Sequence, residues 1–291
     1  IQNSAEVVNK GFELTLNWAD KINDFHYNIG ANLTFVDNEV TKFKGDEASY
    51  SGTTMIKEGY GINTQYIYIA DRIVQTQADL DYVQSLVDNP KLDEEGKPIN
   101  YFKNFKRPEL GDVLYKDMNN NGYLDDDDRV ARGHGDTPRF LFNFNLGFEY
   151  KGFDFSTVLS GTGSYKVQYT HMRSSYLTFG NQISKEVADN CWHEGMTNAK
   201  YPRLMSNGDS RNTRQSTIWE TDKSYFKIRN IQLGYTLPQK WLQTLSLNRV
   251  RLFCSLENFF TFTDYAGMDP ETNKLTYPTM RQASFGLNVS F

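Results

Sequence analysis

The chain has 291 residues, a net charge of -5 and 23% charged residues, with a mean hydropathy of -0.62 and a pI near 5.5. No stretch reaches roughly 18 consecutive apolar residues, which excludes a helical membrane protein, and the acidic balance argues against nucleic acid as a partner. The 14% aromatic content fits either a soluble β-sandwich or a transmembrane barrel, whose strands are apolar on one face only.

In chain order, Ile1-Gln2-Asn3 shows no basic-then-apolar leader, so an export signal is expected to be processed off or to belong to a longer protein. A first strand is expected from about residue 11, followed by a turn over Ala19 to Asp24. Over Phe25 to Phe35, Phe25, Tyr27, Ile29, Ala31, Leu33 and Phe35 alternate with His26, Asn28, Gly30, Asn32 and Thr34. Residues 44–138 then form a long polar region. It holds a strand near 65 and a short helix over Thr76 to Leu86, with Thr76 as N-cap and Asp79 as the acid of a capping box.

Within that region, Asp117-Met118-Asn119-Asn120-Asn121-Gly122-Tyr123-Leu124-Asp125-Asp126-Asp127-Asp128 has the spacing of a calcium loop, with Asp in place of the terminal Glu. A hard cation wants six to eight oxygens, and alternate side chains converge once a glycine permits the sharp turn. Asp117, Asn119 and Asn121 are the expected direct ligands, with the Tyr123 carbonyl. Asp125 would act directly or through water, and Asp128 would close the site. With three anionic side chains the expected dissociation constant is weak, on the order of 10⁻⁴–10⁻³ M. The ion would be structural, and a solvated acidic turn is the alternative.

The next strand, Phe140 to Tyr150, alternates Phe140, Phe142, Phe144, Leu146, Phe148 and Tyr150 with Leu141, Asn143, Asn145, Gly147 and Glu149. Lys151-Gly152 turns it into a strand from Phe153. A second polar region spans 171–223, and further strands are expected from about 224, 248 and 283. The last sets Ala283, Phe285, Leu287, Val289 and Phe291 against Ser284, Gly286, Asn288 and Ser290. This makes roughly eight strands. Alternating runs of about ten residues suit a tilted bilayer crossing better than a sandwich. Asn, Ser, Gly and Thr on the second face suit a water-filled lumen. Phe285, Leu287, Val289 and Phe291 are therefore expected to face lipid.

Catalysis has little to rest on. His26, His134, His171 and His193 lack ligand spacing, no G-x-S-x-G elbow occurs, and no helix pattern follows Gly161-Thr162-Gly163-Ser164. Trp192, Trp219, Tyr201 and Tyr265 in the polar regions could stack on sugars, but loop packing is the expected role of each. Cys191 and Cys254 are read as free and structural.

Several stretches together resemble the SusC/RagA-type TonB-dependent transporters. They are Asn9-Lys10-Gly11-Phe12-Glu13-Leu14, Gly111-Asp112-Val113-Leu114-Tyr115-Lys116-Asp117 running on to Asp128-Arg129-Val130, Ala199-Lys200-Tyr201-Pro202-Arg203, and Ser224 to Pro238 (SYFKIRNIQLGYTLP). The terminal Phe291 is similar to the final aromatic that barrel-assembly machinery reads in this class. The resemblance covers essentially the whole chain. It implies an all-β fold, with residues 1–291 as the C-terminal portion of a large antiparallel transmembrane barrel of about 22 strands. Regions 44–138 and 171–223 would be long extracellular loops, and the plug domain would lie outside this chain.

The implied function is nutrient import across the cell outer membrane, of oligosaccharides or peptides, without enzymatic activity. The implied partners are the preceding barrel and plug segments, a SusD-like surface lipoprotein, the TonB complex and outer-membrane lipid. A siderophore or vitamin receptor of the TonB-dependent kind, and a glycan-binding barrel without transport, are the alternatives.

Overall fold

The computed structural model describes residues 5–44, 48–133, 135, 137–163, 165–169, 183, 185–205, 211–243, 247–272 and 279–291. The chain divides into two compact units. One comprises Val8–Asn38, Thr137–Tyr165 and Asp222–Phe291, and the other Ile1–Val7, Glu39–Asp136 and Lys166–Thr221.

The first unit is built on long strands: β1 (Ala5–Ile22), β2 (Phe25–Phe43), β9 (Phe140–Tyr150), β10 (Phe153–Gly163), β13 (Tyr225–Thr236), β14 (Arg249–Thr263) and β15 (Gln282–Ser290). They form one seven-stranded sheet in that order, and the registered pairs are antiparallel. The first strand begins earlier than expected. With lengths of 18 and 19 residues, β1 and β2 run beyond the span that crosses hydrocarbon. The turn between them is only Asn23-Asp24, with Asn23 at φ 55°. At Lys151-Gly152 both residues have positive φ, 48° and 88°, which matches a two-residue turn whose twist suits the strands it joins.

The registers make the two faces explicit. Phe35, Phe140 and Gly163 stand in one row, and Tyr27, Phe148, Phe155, Leu233, Cys254 and Phe285 in another. Between these rows run those of Asn28, Gly147, Ser156, Gln232, Ser255 and Ser284, and of Gly30, Asn145 and Val158. Side chains alternate across a strand, so the rows separate into an apolar, aromatic face and a polar one. The apolar face is open to the surroundings: Phe12, Leu16, Trp18, Leu233, Phe285 and Leu287 are each more than half exposed. Contiguous exposed apolar area of this extent is foreign to a soluble surface. The expected apolar set on β15 lies on this face.

The second unit contains the small sheets. Strands β3 (Ser49–Ser51), β4 (Thr54–Ile56), β5 (Thr64–Tyr68) and β8 (Arg129–Arg132) make a four-stranded sheet, while β6 (Ala70–Ile73) pairs with β7 (Val113–Tyr115). The strand expected near 65 is therefore β5, and it does not belong to the seven-stranded wall. A further pair is β11 (Lys166–Gln168) with β12 (Glu220–Asp222). Helix α1 (Gln77–Asp88) has Thr76 as N-cap and a complete capping box with Asp79, as its sequence indicates. Tyr68, Val74, Val83, Phe102, Val113, Leu114, Tyr115 and Leu124 form a buried cluster beneath α1 and the β6–β7 pair. The region that reads as a polar loop thus carries a hydrophobic core of its own.

Candidate functional site

The chemistry of the sheet lies on its polar face. In β13 the period of two aims Tyr225, Lys227 and Arg229 to that face, and a register shift between Ile228 and Asn230 keeps Asn230 there too. All three converge on Glu271, which follows β14. Tyr225 Oη donates to Oε1 at 2.9 Å and Lys227 Nζ to Oε2 at 2.5 Å, while Arg229 donates through Nη1 at 3.2 Å and through Nη2. The Lys227 side chain is only 2% exposed. Burial alone would raise the Glu271 carboxyl, but the Arg229, Lys227 and Tyr225 donors outweigh it and hold the group down to about 2. The three donors of the SYFKIRNIQLGYTLP stretch thus share one acceptor, which sequence reading missed. The signal was present, since Lys and Arg rarely occupy alternate positions inside a strand without a partner.

Further along β13, Gly234 serves a second contact. A Cβ there would stand 2.5 Å from both the Arg251 guanidinium and the Asp154 carboxylate. Arg251 Nε and Nη2 reach Asp154 Oδ1 and Oδ2 at 2.9 and 2.5 Å. The pair therefore bridges β10 and β14 across β13, through the space that the missing side chain leaves. Such a two-pronged guanidinium–carboxylate contact is among the stronger polar interactions.

The acidic loop is drawn together by hydrogen bonds. Asp117 accepts from the Asn121 and Gly122 backbone N–H groups at 3.1 and 2.8 Å, and Asn119 Oδ1 also accepts from Asn121 N at 3.0 Å. Asn121 accepts from Tyr123 N and donates through Nδ2 to Asp125 at 3.1 Å. Asp128 is fully buried and accepts from Met118 N and Asp125 N at 2.7 and 2.9 Å. Asp125 also caps the 3-10 turn Asp126–Asp128. All five expected side-chain ligands thus lie in one folded loop, and their carboxylates already accept backbone N–H groups. The Tyr123 ring receives Lys103 Nζ at 3.1 Å from its centre. Burial, the largest influence, pushes the Asp128 carboxyl up despite the backbone donors that favour its charge. Among the described residues no group of three or more His, Cys, Asp or Glu stands close enough together to hold a metal ion.

Two other motif stretches meet at Asp112, which is fully buried. Arg203 Nε and Nη2 donate to it at 2.7 and 3.0 Å, Arg211 Nη1 at 3.1 Å and Asn212 Nδ2 at 3.0 Å. Neighbouring Gly111, at φ 84°, lies where any Cβ would strike the Trp192 ring and the Arg203 stem. The Gly111-Asp112 and Tyr201-Pro202-Arg203 pieces are thus two halves of one buried knot. Tyr201 stacks on Trp219 at 5.9 Å, and the Trp219 indole N–H donates to the Asn212 carbonyl at 2.9 Å. Tyr201 and Trp219 are thus packed against each other, and the Trp192 ring lies against Gly111. Tyr265 lies beneath Lys223, whose Nζ is 5.6 Å from its ring centre.

His26 stands opposite Glu149 on the polar face, and His193 is in the second unit. His134, His171 and Ser164 lie outside the described residues. Cys191 and Cys254 are free thiols, and burial raises that of Cys191.

No protein-family model matches the chain. It is 28% identical to TonB-dependent receptor P3 of Formosa agariphila, a similarity that covers 100% of this chain and 29% of that protein. It is 26% identical to the TonB-dependent receptor SusC of Bacteroides thetaiotaomicron, covering 100% of the chain and 27% of the receptor. Among solved structures, its fold is similar to a chain of the RagAB peptide transporter, with a TM-score of 0.69, 20% identity and coverage of 100% of this chain and 30% of that one. The chain thus spans less than a third of the length of these relatives.

Proposed function

From a chain with the sequence and fold of the C-terminal part of a SusC/RagA-type TonB-dependent receptor, we propose that these residues form part of the wall and outer loops of an outer-membrane nutrient importer. The observation that carries this reading is the pair of faces on the seven-stranded sheet. Rows dominated by aromatic and aliphatic side chains suit lipid, and rows rich in Asn, Ser, Gly and Gln suit a wet lumen. The long connections, after β2 and β10, lie at one end of the strands, and two-residue turns close the other end at 23–24 and 151–152. That asymmetry supports reading residues 44–138 and 171–223 as outer loops.

On this reading the earlier strands and the plug complete the barrel, the TonB complex supplies energy, and a SusD-like lipoprotein helps to capture cargo. The cargo is an oligosaccharide or a peptide, and the chain itself catalyses nothing. The Asp117–Asp128 loop takes a structural calcium ion at Asp117, Asn119, Asn121, Asp125 and Asp128, with the Tyr123 carbonyl. Support for the ion comes from the gathering of those side chains and from the buried Asp128, whose charge a cation would favour.

Deleting the full-length gene tests the import reading. Growth on one class of oligosaccharide or peptide should be lost. It should return with the intact gene, though not in cells lacking TonB. Uptake that persists without TonB would refute import and leave the surface-binding alternative. Loss of iron-chelate or vitamin uptake instead would identify the other alternative.

A further inference from the structure

The second unit holds a cavity of ~230 Å³ whose lining includes Phe102, Phe105 and Tyr115 together with Lys106, Arg211 and Arg214. Among the described residues no carboxylate lines it. Arg211 is committed to Asp112 at 3.1 Å, but among the described residues no acid pairs with Arg214. Its guanidinium stacks on the Phe105 ring, with the central carbon 3.8 Å from the ring centre. Stacking occupies the face of the group and leaves its N–H donors around the rim. The Nε is buried without an acceptor, and among the described residues no hydrogen bond or ion pair reaches the guanidinium. Buried donors are almost always paired, so a missing acceptor here asks for one from outside.

We propose that this cavity binds a small carboxylate that carries an aromatic or branched apolar body. A carboxylate has two oxygens in one plane and matches the guanidinium fork, accepting two parallel hydrogen bonds. Phe102, Tyr115 and the exposed part of Phe105 supply an apolar wall for the body, which separates this ligand from free phosphate or sulfate. The volume lies below the range of roughly 300–1,000 Å³ for pockets that hold drug-sized ligands, so the ligand is of single-ring size. The site goes beyond the import reading and does not depend on which cargo is carried.

Calorimetric titration of the full-length receptor in detergent with 3-phenylpropanoate tests this, with 3-phenylpropanamide and galacturonate as comparisons. The acid should bind in the millimolar range or tighter, and the amide and the sugar acid about tenfold more weakly, as expected for one lost charged hydrogen-bond pair or a lost apolar contact. Arg214→Gln should weaken the acid about tenfold and leave the amide unchanged. Arg214→Lys keeps the charge without the fork and should fall between, so it tests the proposal even if the glutamine variant folds poorly. Equal affinity for acid and amide, no effect of either Arg214 substitution, tighter binding of galacturonate, or no binding of the acid at all would each overturn the proposal.

Discussion

Replacing Glu271 by Gln removes the acceptor charge on which Tyr225, Lys227 and Arg229 converge, and its cost can be worked from the contacts. Lys227 is 2% exposed, and stripping a buried charge of its partner costs about 3–5 kcal/mol. Two features reduce that figure. The side chains of Glu271 and Arg229 are 23% and 38% exposed, so water screens part of the interaction, and Gln retains one oxygen acceptor. We expect about 2–3 kcal/mol, confined to the segment that follows β14. Residues 264–272 should then lose roughly 30- to 150-fold in hydrogen-exchange protection at pH 6, measured on the full-length protein in detergent. The pH dependence has a definite sign. Glu271 titrates at about 2 when folded and at 4.5 when free, so its stabilisation is complete above about 4.5 and is lost as the pH falls from there towards 2. The protection gap between wild type and Glu271→Gln should be full at pH 6 and clearly smaller at pH 3. Equal protection at pH 6, or a gap that does not shrink on acidification, would refute the reasoning.

Gly234→Val should place methyl groups where Arg251 meets Asp154, and the folded fraction of full-length protein should drop, as judged by heat-modifiable mobility in gels. Asp112→Ala leaves Arg203 and Arg211 beside an emptied centre and should cost about 3–5 kcal/mol locally. It would be read as faster tryptic cleavage after those two arginines, with the seven-stranded sheet still protected. Calcium should slow exchange over residues 111–130 relative to chelator, and Asp117→Ala should remove the difference. Identical exchange in both conditions would make the loop an acidic turn only. Leu124→Ala, in the core of the second unit at 1% exposure, should cost about 2–5 kcal/mol and raise exchange in α1 without affecting β10.

The wall was legible wherever an uninterrupted period of two met a change from aromatic to Asn, Ser and Gly, as in β2, β9 and β15. Even the irregularity in β13 is written in the chain. The apolar positions Phe226 and Ile228 give way to Ile231, Leu233 and Tyr235, a slip of one residue that coincides with the register shift between Ile228 and Asn230. The body formed by 44–138 was not legible, because its strands are three to five residues long and too short to show a period. Nor was the Asp112 knot, whose partners lie 91 to 100 residues away and leave no local pattern. Gly111-Asp112 and Tyr201-Pro202-Arg203 were recognisable as family stretches, but nothing in either one points to the other. In the acidic loop the residues marked by their spacing are drawn together by hydrogen bonds. It did not reveal that Asp125 caps the turn Asp126–Asp128, since capping and ion binding call for the same residue types.

Whether the apolar rows face lipid is tested best in β13, whose register is set by a neighbour on each side. Leu233 is 51% exposed on the apolar face, whereas Gln232 sits between Ser156 and Ser255 on the polar one. Arginine at Leu233 would enter hydrocarbon at a cost of about 2–4 kcal/mol near the midplane, and less towards either interface. Arginine at Gln232 would meet water. The surface abundance of full-length protein carrying Leu233→Arg should fall sharply, while Gln232→Arg should remain near wild type. Greater damage from Gln232→Arg would contradict the account and assign the lipid face to the other side of the sheet.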